Sequence, residues 1–308
     1  MAFLSKKKEK WVLQRNKTLK GVLVGESISK NAFADYFYRK AIDAEFRKYI
    51  DSLIKDMESV YGVLRVENST RSQNRSPSEV LAVLSRYKNK KLNVFFKNSK
   101  KIIEQWLRKA KKSTDKNIRD VLFKMAGKEI SISYDKNFDD VLKLIIERNV
   151  QLIKNVSSQT ITNIENIVYD AMTTGEGWYG IQKSLYHQKE ISAKRVKLIA
   201  RDQTAKANQT LSELTQREAG VKFFMWRTAQ DERVRERHRE LNNKIYKWGD
   251  ETERLPVIEI RKGVKIHGYP AQAVNCRCQA LPVWILKGYD IKWNDETKSY
   301  EIEKGGYI

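Results

Sequence analysis

Both cysteines of the chain, Cys276 and Cys278, are separated by a single residue, and two of its three histidines, His238 and His267, lie shortly upstream. Thiolate and imidazole are ligands that zinc favours, so His238, His267, Cys276 and Cys278 make a candidate Cys2His2 site. On an extended strand the two thiols would share a face, with Cβ atoms about 6.6 Å apart at a rise of roughly 3.3 Å per residue. A direct disulfide is strained at that spacing. Zinc with bonds to sulfur near 2.3 Å needs sulfurs only about 3.8 Å apart, which leaning side chains reach. The Cys-x-Cys spacing differs from the usual Cys-x2-Cys knuckle, and a simpler reading competes. In it both thiols are small buried apolar side chains, with Asn275 and Arg277 on the opposite face pairing with Asp231 or backbone carbonyls. Structural zinc is the one cofactor these residues suggest.

The same neighbourhood holds acid–base groups. Asp231, His238 and His267 are the residues that a metal-dependent nuclease or a transferase would use as ligands or proton carriers. The chain has no P-loop, no Gly-rich dinucleotide fingerprint, no His-Glu-x2-His, and no Ser or Cys with a recognisable base at motif spacing, so a non-enzymatic role is predicted. Around these groups Asp231, Glu232, Glu236 and Glu240 alternate with Arg233, Arg235, Arg237 and Arg239. Opposite charges three or four residues apart support one another on a helix, which makes most of this run a solvated face. Arg233 and Arg235 either belong to that face or order the module and touch an anionic group.

The elements that position these residues follow from periodicity. Apolar residues at helical spacing from Phe33 to Met57 predict one long amphipathic helix ending near Tyr61-Gly62, and the polar stretch 67–78 reads as a loop. Ser76, Pro77 and Glu79 form a capping-box start. From Val80 to Lys112, Phe95, Phe96 and Trp106 interleave with Lys88, Lys90, Lys91, Lys97, Lys100, Lys101, Arg108 and Lys109. Interleaved aromatics and lysines can form a nucleic-acid face, but the simpler assignment puts the aromatics in the core and the basic residues outside. Residues 118–148 continue as helix with a break at 127–134, where Ile130 to Tyr134 would fit a short strand. A further helical face from Val150 to Met172 is predicted to be interrupted near Ser157-Ser158, and a turn follows at Thr174 to Gly177. The next helix is predicted to start with Ser192 as its cap and to stop at Gly220. Beyond Gly220, short apolar runs at Phe223 to Trp226, Leu255 to Ile260 and Cys276 to Ile285 read as strands, and the tail reads as a final hairpin without the Asn-Gly signature. The predicted fold class is α+β: a region rich in long helices through the N-terminal and middle parts, then a small α+β C-terminal module. The domain expectation is 1–148, 149–220 and 221–308.

Composition narrows the partners. The 308 residues are 41% hydrophobic and 32% charged, enough apolar content for a core and unlike a disordered chain. The formal net charge is +22. Residues 1–150 carry 34 lysines and arginines against 18 acidic residues, and residues 151–308 carry 26 against 20. A cation of this size favours a polyanion, because each phosphate neutralised releases a condensed counterion. Part of the charge would in any case solvate long helices. Two cysteines argue against a disulfide framework, and the absence of a signal peptide's apolar segment and of any membrane-length apolar run predicts a soluble protein made in a reducing cytoplasm.

One pattern is more specific. Trp226, Asp231, Arg233, Arg235 and His238 form W-x4-D-x-R-V-R-x2-H, followed after a Gly/Pro-containing stretch by Asn275-Cys276-Arg277-Cys278. This pair resembles the C-terminal module of the phage Mu F-like minor head proteins, the phage head morphogenesis family of tailed phages. Asn149 to Ile153, the turn near Gly175, and Ile199 to Asn208 resemble that family's helical half, except that Arg201 is followed by Asp202-Gln203 where the family often has Thr-Glu. The resemblance covers about 149–285. It implies a minor capsid protein that binds the portal, enters the procapsid during assembly, contacts double-stranded DNA non-specifically and influences packaging or ejection. It also implies a virion location in the capsid interior near the portal vertex, with scaffold or major capsid protein as further neighbours.

Overall fold

The computed structural model describes residues 21–26, 32–61, 77–127, 129, 131–134, 136–174, 178–261 and 263–304. The polar stretch before Pro77, the Ser76 cap, Ile130 and the turn residues 175–177 lie outside this set. Five helices of eight or more residues come first: α1 (Ala32–Tyr61), α2 (Pro77–Arg86), α3 (Leu92–Ala126), α4 (Lys136–Thr174) and α5 (Trp178–Glu218). Strands then dominate: β2 (Phe223–Arg227), β3 (Ile245–Lys247), β4 (Val257–Arg261), β5 (Val264–His267), β6 (Gln279–Ile285), β7 (Tyr289–Asn294) and β8 (Ser299–Lys304), with a one-turn helix, α6 (Glu236–Glu240), after β2. A short strand near the start, β1 (Val22–Val24), was not anticipated, because three apolar residues carry no periodicity. The fold class is α+β, with the long helices in front and the strands behind.

Contacts divide the chain into two compact units that interleave in sequence: Phe33–Leu107 with Leu142–Arg201, and Met1–Ala32 with Arg108–Val141 and Asp202–Ile308. The first is helical. Along α1, Tyr38, Ile42, Phe46, Tyr49, Ile50, Leu53 and Met57 are buried, a stripe at three- and four-residue steps. From α3, Phe95 stacks on Tyr49 with ring centroids 5.1 Å apart and Trp106 stacks on Tyr38 at 4.5 Å. The Trp106 indole also donates to Asp35 Oδ1 at 3.0 Å, which satisfies both groups away from water. Between α2 and α3 a π-helical turn, Tyr87–Lys91, turns Tyr87 fully inward, where its hydroxyl donates to Asp56 at 2.9 Å.

Two sequence expectations fail in this unit. Helix α4 runs unbroken through Ser157-Ser158, because the Ser157 hydroxyl turns back onto the Ile153 carbonyl at 2.9 Å instead of competing for a cap. Ser192 is not a helix start either. It lies buried inside α5 and accepts from the Thr160 hydroxyl at 2.9 Å, a small polar contact where two helices approach closely.

The second unit is built on a six-stranded antiparallel sheet in the order β1-β6-β2-β3-β8-β7, with β4 and β5 pairing separately. Alternation on β2 sends Phe224 and Trp226 to a cluster that includes Tyr246, Trp248, Cys276 and Cys278. Its neighbour Met225 joins Val22, Ile245, Leu281 and Val283 on the other face. Ile118, Val121, Leu122 and Met125 of α3 pack with Leu23, Ile132 and Leu286. The described residues 131–134 form no strand: Ile132 is used as a core side chain, and the Tyr134 hydroxyl bonds to Asp115. Helix α5 ends at Gly220, whose φ of 78° suits glycine. There the Val221 and Gly220 amides bond to Gln216 and Arg217 carbonyls at 2.9 Å each, the double closure of a Schellman stop. The β7–β8 hairpin closes without Asn-Gly because Asn294 Oδ1 accepts from the Glu296 and Thr297 amides.

Candidate metal centre

Trp226, fully buried on β2, forms one wall of the site, its ring 5.8 Å from the His238 ring at 82°. His238 comes from α6, and Cys276 and Cys278 come from the segment leading into β6. The cysteines are not on a strand. The Asn275 backbone has φ 56°, and the Cys276 amide donates to the Ala273 carbonyl at 3.1 Å, so the chain turns and the extended separation expected from sequence does not apply. Cys278 N–H instead donates to Cys276 Sγ at 3.4 Å. Both thiols are free and buried.

His238 Nδ1 is 3.6 Å from Cys276 Sγ and 3.5 Å from Cys278 Sγ, and the three donor atoms all lie within 4.8 Å of one another. The side chains are 2%, 5% and 3% exposed. A hydrogen bond from Cys278, and then one from His238, lowers the Cys276 thiol, while the same thiol pairing and burial raise Cys278. His238 Nε2 is buried without a hydrogen-bond partner among the described residues.

His267 does not join this group. It is exposed at the end of β5, with Nδ1 2.8 Å from the Leu255 carbonyl, because pairing with β4 carries it along the small second sheet. The predicted four-residue set is therefore three residues in the structure. Asp231 is also elsewhere engaged, so the acid–base set of Asp231, His238 and His267 is not assembled.

The segment around the cysteines is held by polar contacts of three kinds. Arg277 makes a two-pronged ion pair with Asp231, Nη2 lying 2.6 Å from Oδ1, and this guanidinium holds the Asp231 carboxyl down at about 2. Arg235 Nη2 donates to the Val274 carbonyl at 2.8 Å. Arg233 remains exposed beside Asp231, its Nη2 3.6 Å away. The predicted helical charge run is helical only over Glu236–Glu240; before it, the Arg233 amide donates to Asp231 Oδ1 at 3.2 Å and closes a local turn.

The third contact was missed in the sequence. Asp202 on α5 is buried, and its Oδ1 accepts from the Asn275 amide at 2.7 Å while Lys206 and Gln203 bond to Oδ2. Two further α5 residues bind the start of β6: the Ala280 amide donates to Gln209 Oε1 at 3.4 Å, and Gln216 Nε2 donates to the Ala280 carbonyl at 3.2 Å. Asp202, Gln209 and Gln216 recur every seven residues, one face of a helix. That polar stripe was the available signal. The candidate DNA-contacting residues Lys88, Lys90, Lys91, Lys97, Lys100, Lys101, Arg108 and Lys109 are all exposed, while Phe95 and Trp106 are buried; Lys88 lies 3.4 Å from Glu165.

An α+β module that buries a His-Cys-Cys cluster behind a long helix is thus the structural class of the C-terminal part. Residues 162–281 match the family described as Phage Mu protein F like protein, a stretch that includes Asp202, Trp226, Asp231, His238, Cys276 and Cys278. The match covers 120 of the 308 residues, and over that segment the chain is similar to this family. The chain is also similar to an uncharacterized protein of Haemophilus influenzae (strain ATCC 51907 / DSM 11121 / KW20 / Rd), 31% identical over 147 residues, which are 48% of this chain and 30% of the relative. The alignment thus spans under a third of that relative's length. No solved structure matches the chain.

Proposed function

We propose that the protein is a minor head protein that binds the portal, enters the procapsid during assembly, and contacts double-stranded DNA without sequence preference as the genome is packaged or ejected. Its place is the capsid interior near the portal vertex, with scaffold or major capsid protein as further neighbours. The observation that carries this reading is the joining, in one chain, of the phage Mu F-like segment 162–281 to a net charge of +22. The exposed basic residues of the π-turn and α3 support the DNA part, since lysine heads at the surface neutralise phosphates at no cost to the core. No helix among the described residues is long and apolar enough to cross a membrane.

Mobility shifts on unrelated duplexes at rising salt test the DNA contact. Binding should be equal across sequences and weaken steeply with salt, and the triple change of Lys97, Lys100 and Lys101 to Gln should flatten that dependence. Failure to bind any duplex at low salt removes the DNA contact. Co-purification with portal subunits after nuclease treatment tests the portal contact separately.

A further inference from the structure

We infer that His238, Cys276 and Cys278 bind a zinc ion that locks the segment before β6 onto α6 and the sheet. The distances fit a common central ion. Zinc bonds of about 2.3 Å to sulfur and 2.0–2.1 Å to nitrogen, opened at the tetrahedral angle, place nitrogen and sulfur about 3.6 Å apart. The two nitrogen–sulfur separations here are 3.6 and 3.5 Å.

Hydrogen bonding alone accounts for these contacts less well. Nδ1 of a neutral imidazole carries either one proton or one lone pair, so it serves one sulfur well, yet two converge on it at the same distance. A cation at the shared point satisfies all three donors. Their mixture of nitrogen and sulfur selects a thiophilic ion such as zinc over magnesium or calcium, which take oxygen ligands.

The burial decides what the ion does. Donors only 2–5% exposed leave no approach for a polymeric substrate, so the role is structural. The ion would add to the polar contacts that already hold these elements. Helix α6 has five residues and no side-chain cap bond at Arg235, and the turn before β6 carries positive φ at both Ala271 (63°) and Asn275 (56°), conformations costly without external support. Metal binding to sites of this kind is folding free energy.

The test is elemental analysis of the full chain purified under reducing conditions, followed by cobalt titration of the metal-stripped protein. Near-equimolar zinc, a thiolate-to-cobalt charge-transfer band and a lowered Tm after chelation are expected. Cys276→Ser and Cys278→Ser should each abolish the band, and His267→Ala should keep both the band and the zinc. Cobalt uptake by the folded wild-type chain is decisive even where a cysteine variant fails to fold. Folded protein that contains no zinc and gives no cobalt band overturns the inference, as does zinc retained by the double serine variant or a Cys276–Cys278 disulfide in the native protein.

Discussion

Asp231 shows how one ion pair in this protein reports on loop order. Its carboxyl is held at about 2 by the Arg277 guanidinium, with Arg233 adding to the effect, against an ordinary value near 3.8. Because the folded value is the lower one, the pair favours the folded state in full above about pH 4, and that contribution disappears as pH falls through about 2. Arg277→Ala should return the Asp231 carboxyl toward the ordinary range, read by NMR titration of its side-chain carbon; an unmoved midpoint would show that Arg277 is not the cause. The sequence left Asn275 and Arg277 to pair with either Asp231 or backbone carbonyls; Arg277 takes the Asp231 carboxylate, while the nearby Val274 carbonyl is taken by Arg235. His267 could not be separated from His238 by spacing, because membership of the cluster depends on where tertiary packing carries each: His238 on α6 beside the cysteines, His267 at the end of the small second sheet.

At the level of elements, α5 is the organiser of the cysteine segment. Its buried Asp202, Gln209 and Gln216 reach backbone groups of Asn275 and Ala280 that no strand partner covers in the same way. A buried amide that loses a charged acceptor bears its desolvation cost, so Asp202→Ala should destabilise the chain by about 1–3 kcal/mol. Amide exchange at Asn275 should speed up more than at Phe224 in the sheet centre, and equal acceleration at both would count against a local anchor. The strong periodic helices were legible because their apolar stripes are long. Ser157 and Ser192 misled because serine is read as a cap or break from sequence, whereas inside packed helices its hydroxyl bonds back to the preceding turn or across to a neighbour.

For the whole molecule, the decisive fact is that the strand-rich unit draws on three separate stretches of chain. β1 near the N-terminus pairs with β6, and the Ile118 to Met125 face of α3 covers Leu23 and Leu286. A fragment of residues 221–304 lacks β1, α3 and α5, and exposes an unpaired β6 edge together with apolar surface. It should show no cooperative thermal transition by circular dichroism and poor amide dispersion by NMR, even with zinc present. A fragment that melted cooperatively at the temperature of the intact chain would show that the interleaved segments are dispensable.

The residues alone established the α+β class, the long helices, the Gly220 stop, the final hairpin, the cationic character and the phage Mu F-like pattern, since each rests on local spacing, composition or a short motif. Tertiary structure alone decided that Asp202 grips the cysteine segment, that β1 joins the sheet, and that one histidine, His238, meets the two thiols. Those outcomes depend on contacts between residues tens to hundreds of positions apart, and no period or propensity encodes which distant partners a chain brings together.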